Sequence, residues 1–308
     1  MTRRRRGEPV HGWIILDKPS GLSSAAAVAA VRRALNAQKA GHGGTLDPLA
    51  TGVLPVALGE ATKTVSWAIE GRKLYRFTLR WGEARDTDDV EGTVIASSGL
   101  RPEPAAIEAA LPPFIGTVLQ RPPAYSALKL AGERAYDLAR AGRPVELAPR
   151  PVEIERFDLV GCPDRDHAEF EVLVGRGTYV RALARDLGEA LGSLAHVTQL
   201  RRLRVGRFRI EAAIPLDKLA VLGHIALASE HLLPVETALD DIPALALSEA
   251  EAQALRCGQA VMPLRPSDRA RIDQIGDGAT ICAMSDGKLV ALVEIDAGGL
   301  RPVRVMNF

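Results

Sequence analysis

Cysteine is scarce in this 308-residue sequence: Cys162, Cys257 and Cys282 are odd in number, far apart and never spaced as CxxC. That spacing excludes a disulfide framework and a zinc site and leaves three buried or idle thiols. Long apolar runs are missing too. No stretch approaches the roughly 20 residues that cross a bilayer, and the opening MTRRRRGEP has no apolar secretory segment, so a soluble, cytoplasmic protein is expected. Internal repeats and low-complexity tracts are absent. Phosphate-loop signatures are absent as well: residues 41–44 (GHGG) do not make GxGxxG, and residues 59–64 (GEATKT) lack the glycine before lysine. No nucleotide cofactor is implied.

Excess charge is also lacking, with a net of only +1, but its distribution is uneven. Residues 1–239 carry a net +4 and residues 240–308 a net −3. Residues 176–209 hold eight arginines against Asp186 and Glu189, which favours phosphate contact because a guanidinium matches phosphate geometry. Length and this charge break predict three parts: a basic arm over 1–12, disordered at Arg3 to Arg6, a large domain over 13–240, and a small one over 241–308.

The pattern along the chain alternates strands and helices. Residues 13–16 read as a buried strand, followed by a turn at 18–21 and a helix capped by Ser23 or Ser24, with Val28, Val31 and Leu35 on one face. Residues 41–59, rich in Gly, Pro and Thr, read as a loop. Tyr75, Phe77, Leu79 and Trp81 alternate with polar residues as a strand with one apolar face, and residues 93–96 read as its returning partner across a long tip. The acidic tip (Asp86, Asp88, Asp89, Glu91) fails the calcium-loop test, with Glu91 where glycine is needed and Ser97 where glutamate is needed. It reads as a solvated hairpin end. Apolar residues at helical spacing predict a basic-faced helix over 125–141 carrying Lys129, Arg134 and Arg140. A strand through Phe170, Val172 and Val174 precedes a helix beginning at Tyr179. After Leu239 short strands dominate, with one helix near 248–256.

Residues 43–54 (GGTLDPLATGVL) are the most informative stretch. An aspartate between glycines and a proline is ordinarily a turn former, and only its company raises Asp47 above that reading. The company is KPSG (18–21), LYRFTLRWGEARDTDD (74–89), RPPAYSALKLAGERAYDLAR (121–140), and GRGTYVRALARDLG (175–188) with GSLAHVTQLRR (192–202). These five segments, in this order, resemble TruB-type tRNA pseudouridine synthases over most of the first 210 residues. The tail resembles the small PUA-like RNA-binding domain of bacterial members in length, strand pattern and position. One departure stands out: Val174, Gly175 and Arg176 occupy positions where bacterial members often carry Cys-Ser-Lys, which keeps the charge and excludes a cysteine there.

The resemblance implies an α+β catalytic domain on a mixed, mainly antiparallel sheet. It implies isomerisation of uridine 55 in the T loop of tRNA to pseudouridine by base flipping, with no cofactor, no metal and no obligate protein partner; a monomer is the default expectation. Pseudouridine formation detaches uracil at N1 and rejoins it through C5, so the chemistry needs a carboxylate and a confined base. Asp47 is the implied carboxylate, either attacking the sugar or assisting uracil departure. A fixed cation is expected beside it, and Arg181 of the GTYVR run is implied, held to the carboxylate by two hydrogen bonds, although in an arginine-rich run it also reads as a phosphate contact. Tyr75 is the implied stacking residue, Tyr179 and Leu200 further walls of the pocket. On pattern alone Tyr75 equally reads as core. His42 is implied to push into the T loop as the base leaves, and otherwise reads as a surface histidine; Lys18 is implied to brace the loop around Asp47. Lys129, Arg134 and Arg140, on an RNA-gripping insertion over 121–150, and Arg176, Arg201 and Arg202 are expected to contact RNA. A tRNA-binding folding helper without a catalytic requirement is the alternative, and a metal-dependent RNA hydrolase built on the acidic tip a remote third.

Overall fold

The computed structural model describes residues 7–126, 128–130, 132–143, 145, 147–222, 230–263 and 265–308, so the expected disordered arm at Arg3 to Arg6 lies outside the described residues. The strands are β1 (Gly12–Lys18), β2 (Ala40–His42), β3 (Thr51–Leu58), β4 (Lys73–Trp81), β5 (Glu83–Arg85), β6 (Val94–Ser97), β7 (Gly116–Gln120), β8 (Lys129–Leu130), β9 (Glu133–Arg134), β10 (Arg150–Asp164), β11 (His167–Val174), β12 (Ala195–Val205), β13 (Phe208–Arg209), β14 (Ile214–Pro215), β15 (Ala244–Ala246), β16 (Thr280–Ser285), β17 (Lys288–Asp296) and β18 (Gly299–Val305). The helices are α1 (Ser24–Ala34), α2 (Val65–Ala68), α3 (Pro104–Ala110), α4 (Ala135–Arg140), α5 (Val180–Ala190), α6 (Leu216–Val221), α7 (Glu249–Arg256) and α8 (Pro266–Ile275).

One sheet runs β14-β1-β3-β12-β4-β11-β10-β7, with β13 beside β12 and β2 beside β3. Within this sheet, among the described residues, only the β1–β14 and β3–β12 pairings are parallel, so the expected mixed, mainly antiparallel sheet is what forms. A second sheet, β15-β16-β17-β18, makes a small C-terminal β domain. Among the described residues no helix is long and apolar enough to cross a membrane.

The two faces of the main sheet have different covers, as the period-2 pattern of its strands requires. Ile14 and Leu16 of β1, Leu54, Val56 and Leu58 of β3, and Tyr75, Phe77, Leu79 and Trp81 of β4 pack with Ala27 and Val31 of α1 and Val180, Leu183 and Leu187 of α5. The alternate residues, Trp13, Ile15, Val53 and Ala57, pack on the opposite face against Cys282, Leu289, Leu292 and Met306 of the C-terminal domain. Ser23 caps α1 by accepting from the Ala26 N–H at 3.2 Å.

Three expectations need correction. Residues 51–58, expected in a loop, form β3, seven of whose residues are buried; burial on both faces erases the alternation that marks a strand. Gly52 is what lets β3 lie against β12: its φ is +97°, and an added Cβ would sit 2.2 Å from the Arg202 carbonyl oxygen. Residues 93–96 do not return along β4. β6 pairs with β5, while β4 is flanked by β11 and β12. The helix expected over 125–141 is confined to Ala135–Arg140, preceded by the β8–β9 pair, whose turn holds Gly132 at φ +94°.

Candidate active site

The segment carrying Asp47 is irregular backbone held from several sides. The buried Ser24 hydroxyl, at the start of α1, accepts from the Leu46 N–H at 2.8 Å and donates to the Leu46 carbonyl at 2.9 Å. On the other side of Asp47, the Pro48 carbonyl accepts from the Gly21 N–H at 2.8 Å and from the Lys18 ammonium at 3.2 Å. Lys18 is fully buried and also donates to the Pro19 and Leu22 carbonyls at 2.8 and 2.7 Å. Burial pushes its pKa down to about 8, against the attraction of Asp47. Arg202, 1% exposed, donates to the Val53, Thr45 and Gly44 carbonyls. Apart from the two Lys18 bonds to Pro19 and Leu22, each contact fixes a peptide within six residues of Asp47, so the position of the carboxylate is determined by α1, the 18–21 turn and β12 together.

Arg181 lies in the first turn of α5, 3.0 Å from the Asp47 carboxylate through Nε. The Nε–H is not aligned for a hydrogen bond, so this contact is an ion pair and the expected two-hydrogen-bond grip is not made. The reason is that both other nitrogens are committed. Nη1 donates to the Thr87 carbonyl at 2.8 Å and Nη2 to the Tyr125 carbonyl at 2.9 Å. Nη1 also lies 3.4 Å from the buried Asp89 carboxylate. One guanidinium therefore sits between two carboxylates, one half-exposed and one buried.

The acidic tip is thus no solvated hairpin end. Val90 donates to the Val197 carbonyl and Val197 to the Asp88 carbonyl, which docks the tip on β12. Asp89 accepts from Thr87 Oγ1 at 2.6 Å and from the Glu91 N–H at 3.0 Å. Asp88 pairs with Arg185, one helical turn beyond Arg181, at 3.0 Å. Burial nevertheless holds the Asp88 carboxyl up at about 6, against the pull of Arg185. Arg185 also donates to the Arg121 carbonyl at 2.8 Å, so Arg181 and Arg185 both tie the tip to the start of the 121–150 insertion.

A cavity of about 250 Å³ opens beside the ion pair, lined by Thr45, Leu46 and Asp47, Tyr75 and Leu200, Ser126, and residues 178–181. That size suits a single nucleobase better than a drug-sized ligand of roughly 300 to 1,000 Å³. Tyr75 and Leu200 are buried on the adjacent strands β4 and β12, where Leu200 lies opposite Phe77 and Tyr75 opposite Arg202, and Tyr179 stands at the cap of α5, its N–H donating to Gln120 Oε1 at 2.8 Å. Asp47, Tyr75, Tyr179, Arg181 and Leu200, up to 153 residues apart in the chain, meet in this one cavity.

The remaining expected site residues scatter. His42 is on β2 opposite Val56, outside the cavity lining, with Nδ1 buried and unpartnered among the described residues; burial and then Arg202 lower its pKa. Arg176 is exposed. Arg201 grips Asp17 with two hydrogen bonds of 3.0 and 2.7 Å, which neutralises much of its attraction for phosphate. The expectation that Arg202 meets RNA fails outright: it is buried beneath the Asp47 segment and spends its donors on carbonyls. Lys129 and Arg134 pair across the β8–β9 turn and Arg140 ends α4, while their side chains lie outside the described residues. Ser24, Ser126 and Asp89 belong to the site, yet none is among the site residues expected from the sequence, where Ser24 reads as a helix cap and Asp89 as part of a solvated tip. Of these only Asp89 left a signal, a run of acids too dense to be an ordinary turn.

The sequence and the fold are similar to those of known proteins. Residues 32–180 match the model of the TruB family pseudouridylate synthase N-terminal domain, and residues 181–240 that of the tRNA pseudouridylate synthase B C-terminal domain. The chain is 52% identical over 307 residues to a tRNA pseudouridine synthase B of Rhodospirillum rubrum, covering all of both chains. It is 55% identical to one of Bradyrhizobium diazoefficiens, covering 99% of this chain and 88% of the relative. Among solved structures, a Cbf5-Nop10-Gar1 complex contains a chain that superposes with a TM-score of 0.71 at 27% identity, covering 100% of this chain and 90% of that one. Full-length identity above one half, on a fold that gathers Asp47, Tyr75 and Arg181 into one cavity, means that the chain belongs to the TruB family of pseudouridylate synthases.

Proposed function

We propose that this protein converts uridine 55 in the T loop of tRNA to pseudouridine, in the cytoplasm and without a cofactor, with Asp47 as the reacting carboxylate. The observation that carries the reading is the ion pair of Asp47 with Arg181 at the wall of a base-sized cavity. An enzyme acting on a base must extract it from the stack, at a cost of a few kcal/mol recovered by stacking and edge contacts. Tyr75 offers an aromatic face for that stacking, with Leu200 and Tyr179 as the remaining walls. His42, on the strand entering the Asp47 segment, is the residue assigned to fill the loop the base vacates. Arg181 sets its positive charge against the carboxylate at the cavity wall, and Asp89 balances that guanidinium from behind. Arg176 and the 121–150 insertion are assigned to the phosphates of the T arm, and the C-terminal domain is read as PUA-like.

The test is release of tritium from tRNA labelled at C5 of uridine, with purified protein and no additive. Wild type releases it, and Asp47→Asn binds tRNA normally but releases none. Binding without release by the wild type would instead identify a tRNA folding helper.

A further inference from the structure

Ser126 has a feature that the reaction as described above does not use. The residue is 3% exposed and lines the cavity, yet its hydroxyl has no hydrogen-bond partner among the described residues. Its backbone, by contrast, is satisfied: the N–H donates to the Ala124 carbonyl at 3.1 Å and the carbonyl accepts from the Tyr136 N–H at 3.1 Å. A buried hydroxyl left unpaired costs roughly 1 to 3 kcal/mol, so a native site that retains one has a use for it. Its placement is fixed by the chemistry next door. Arg181, while paired with Asp47, donates to the carbonyl of Tyr125, the residue immediately before Ser126. The guanidinium that accompanies the carboxylate thereby also sets where the hydroxyl stands.

Uracil presents two carbonyl oxygens and one N–H at its edge, so a site for it needs donors more than acceptors. The Arg181 guanidinium has little to offer it, because Nη1 and Nη2 are already engaged by the Thr87 and Tyr125 carbonyls. We propose that the Ser126 hydroxyl donates a hydrogen bond to a carbonyl oxygen of the flipped uracil and so contributes to base selection. This inference rests on the functional reading given above, and it goes beyond it by naming an edge contact for the base.

The experiment compares wild type and Ser126→Ala on tRNAs carrying uridine, 2-thiouridine or 4-thiouridine at the target position, scored by nucleoside chromatography after digestion. With uridine the variant loses about tenfold in kcat/KM, the worth of one neutral hydrogen bond, while the Kd for tRNA stays within about twofold. Sulfur is a poor acceptor, so for one of the two thio substrates the difference between wild type and variant vanishes, and that substrate identifies the oxygen. A variant as active as wild type on uridine, or one losing the same factor on all three substrates, overturns the proposal. Failure of the wild type to convert uridine at all would instead refute the functional reading, so the two are separable.

Discussion

Replacing Ser24 by alanine tests whether the Asp47 carboxylate is positioned by a clamp on the residue before it. The Ser24 hydroxyl accepts from one Leu46 backbone group and donates to the other, at 2.8 and 2.9 Å, and all the groups are buried. Alanine leaves a buried N–H and a buried carbonyl without a partner, each costing about 1 to 3 kcal/mol before relaxation. Partial relaxation of the segment brings the expected loss to about 2 to 4 kcal/mol, a large share of a stability on the order of 5 to 15 kcal/mol. Relaxation is itself the functional damage, because the peptide that moves is the one bonded to Asp47. A displacement of about 1 Å at a reacting group costs on the order of 100-fold in rate. Urea unfolding followed by tryptophan fluorescence reads the first effect, and single-turnover tritium release at saturating enzyme reads the second. Binding of tRNA is expected to stay within about threefold, since Ser24 faces no phosphate. An unchanged urea midpoint together with wild-type turnover would refute the clamp, and loss of binding with normal turnover would show that Ser24 acts elsewhere.

Other perturbations address different parts of the site. Asp89→Asn keeps the shape of the acceptor but removes the buried charge behind Arg181, so stability falls by about 2 kcal/mol, tritium release slows and the Kd for tRNA is unchanged; turnover equal to wild type would deny the carboxylate any part in the site. Asp88 titrates near 6 when folded and 3.8 otherwise, so the folded state takes up its proton more readily, and the stability this contributes is present below about pH 4 and lost as pH rises through about 6. The unfolding free energy of wild type relative to Asp88→Asn therefore rises as pH falls from about 7 to about 4.5, and a constant difference contradicts the assignment. Arg176→Ser, at an exposed position, weakens tRNA binding and lowers the slope of log Kd against log salt by about 1, measured by filter binding; an unchanged slope removes Arg176 from the phosphate contacts.

Much of the fold was legible in the sequence where one face of an element meets water. The alternation of Tyr75, Phe77, Leu79 and Trp81 marks β4, and the apolar face of Val180, Leu183 and Leu187 marks α5, because each element is polar on its other side. β3 was illegible for the opposite reason. Val53 faces the C-terminal domain and Leu54 the helices, so no polar residue breaks the run, while Gly52 and Pro55 imitate a loop. The five motif segments gave Asp47, Tyr75, Tyr179, Arg181 and Leu200, all of which meet in one cavity. The residues that position them were hidden, since Ser24, Arg202 and Asp89 act through partners 22 to 158 residues away, and no local pattern records such pairings. Arg202 was misread because a run of arginines does not reveal which of them points inward: Arg201 and Arg202 are adjacent on β12, and the strand sends one to Asp17 near the surface and the other beneath the Asp47 segment.

The apolar contact between the back of the main sheet and the C-terminal domain bears on how the protein can be dissected. Trp13 lies in that seam, tilted against Phe208 and sharing its cluster with Leu292 and Met306, and its indole N–H donates to the Val235 carbonyl in the segment that leads to the C-terminal domain. Amputating the tail would leave a greasy patch in the middle of the enzyme's rear surface, which invites self-association. For protein engineers, then, the acidic end is a back plate, to be carried along intact or replaced by another apolar cover, whatever it does for RNA.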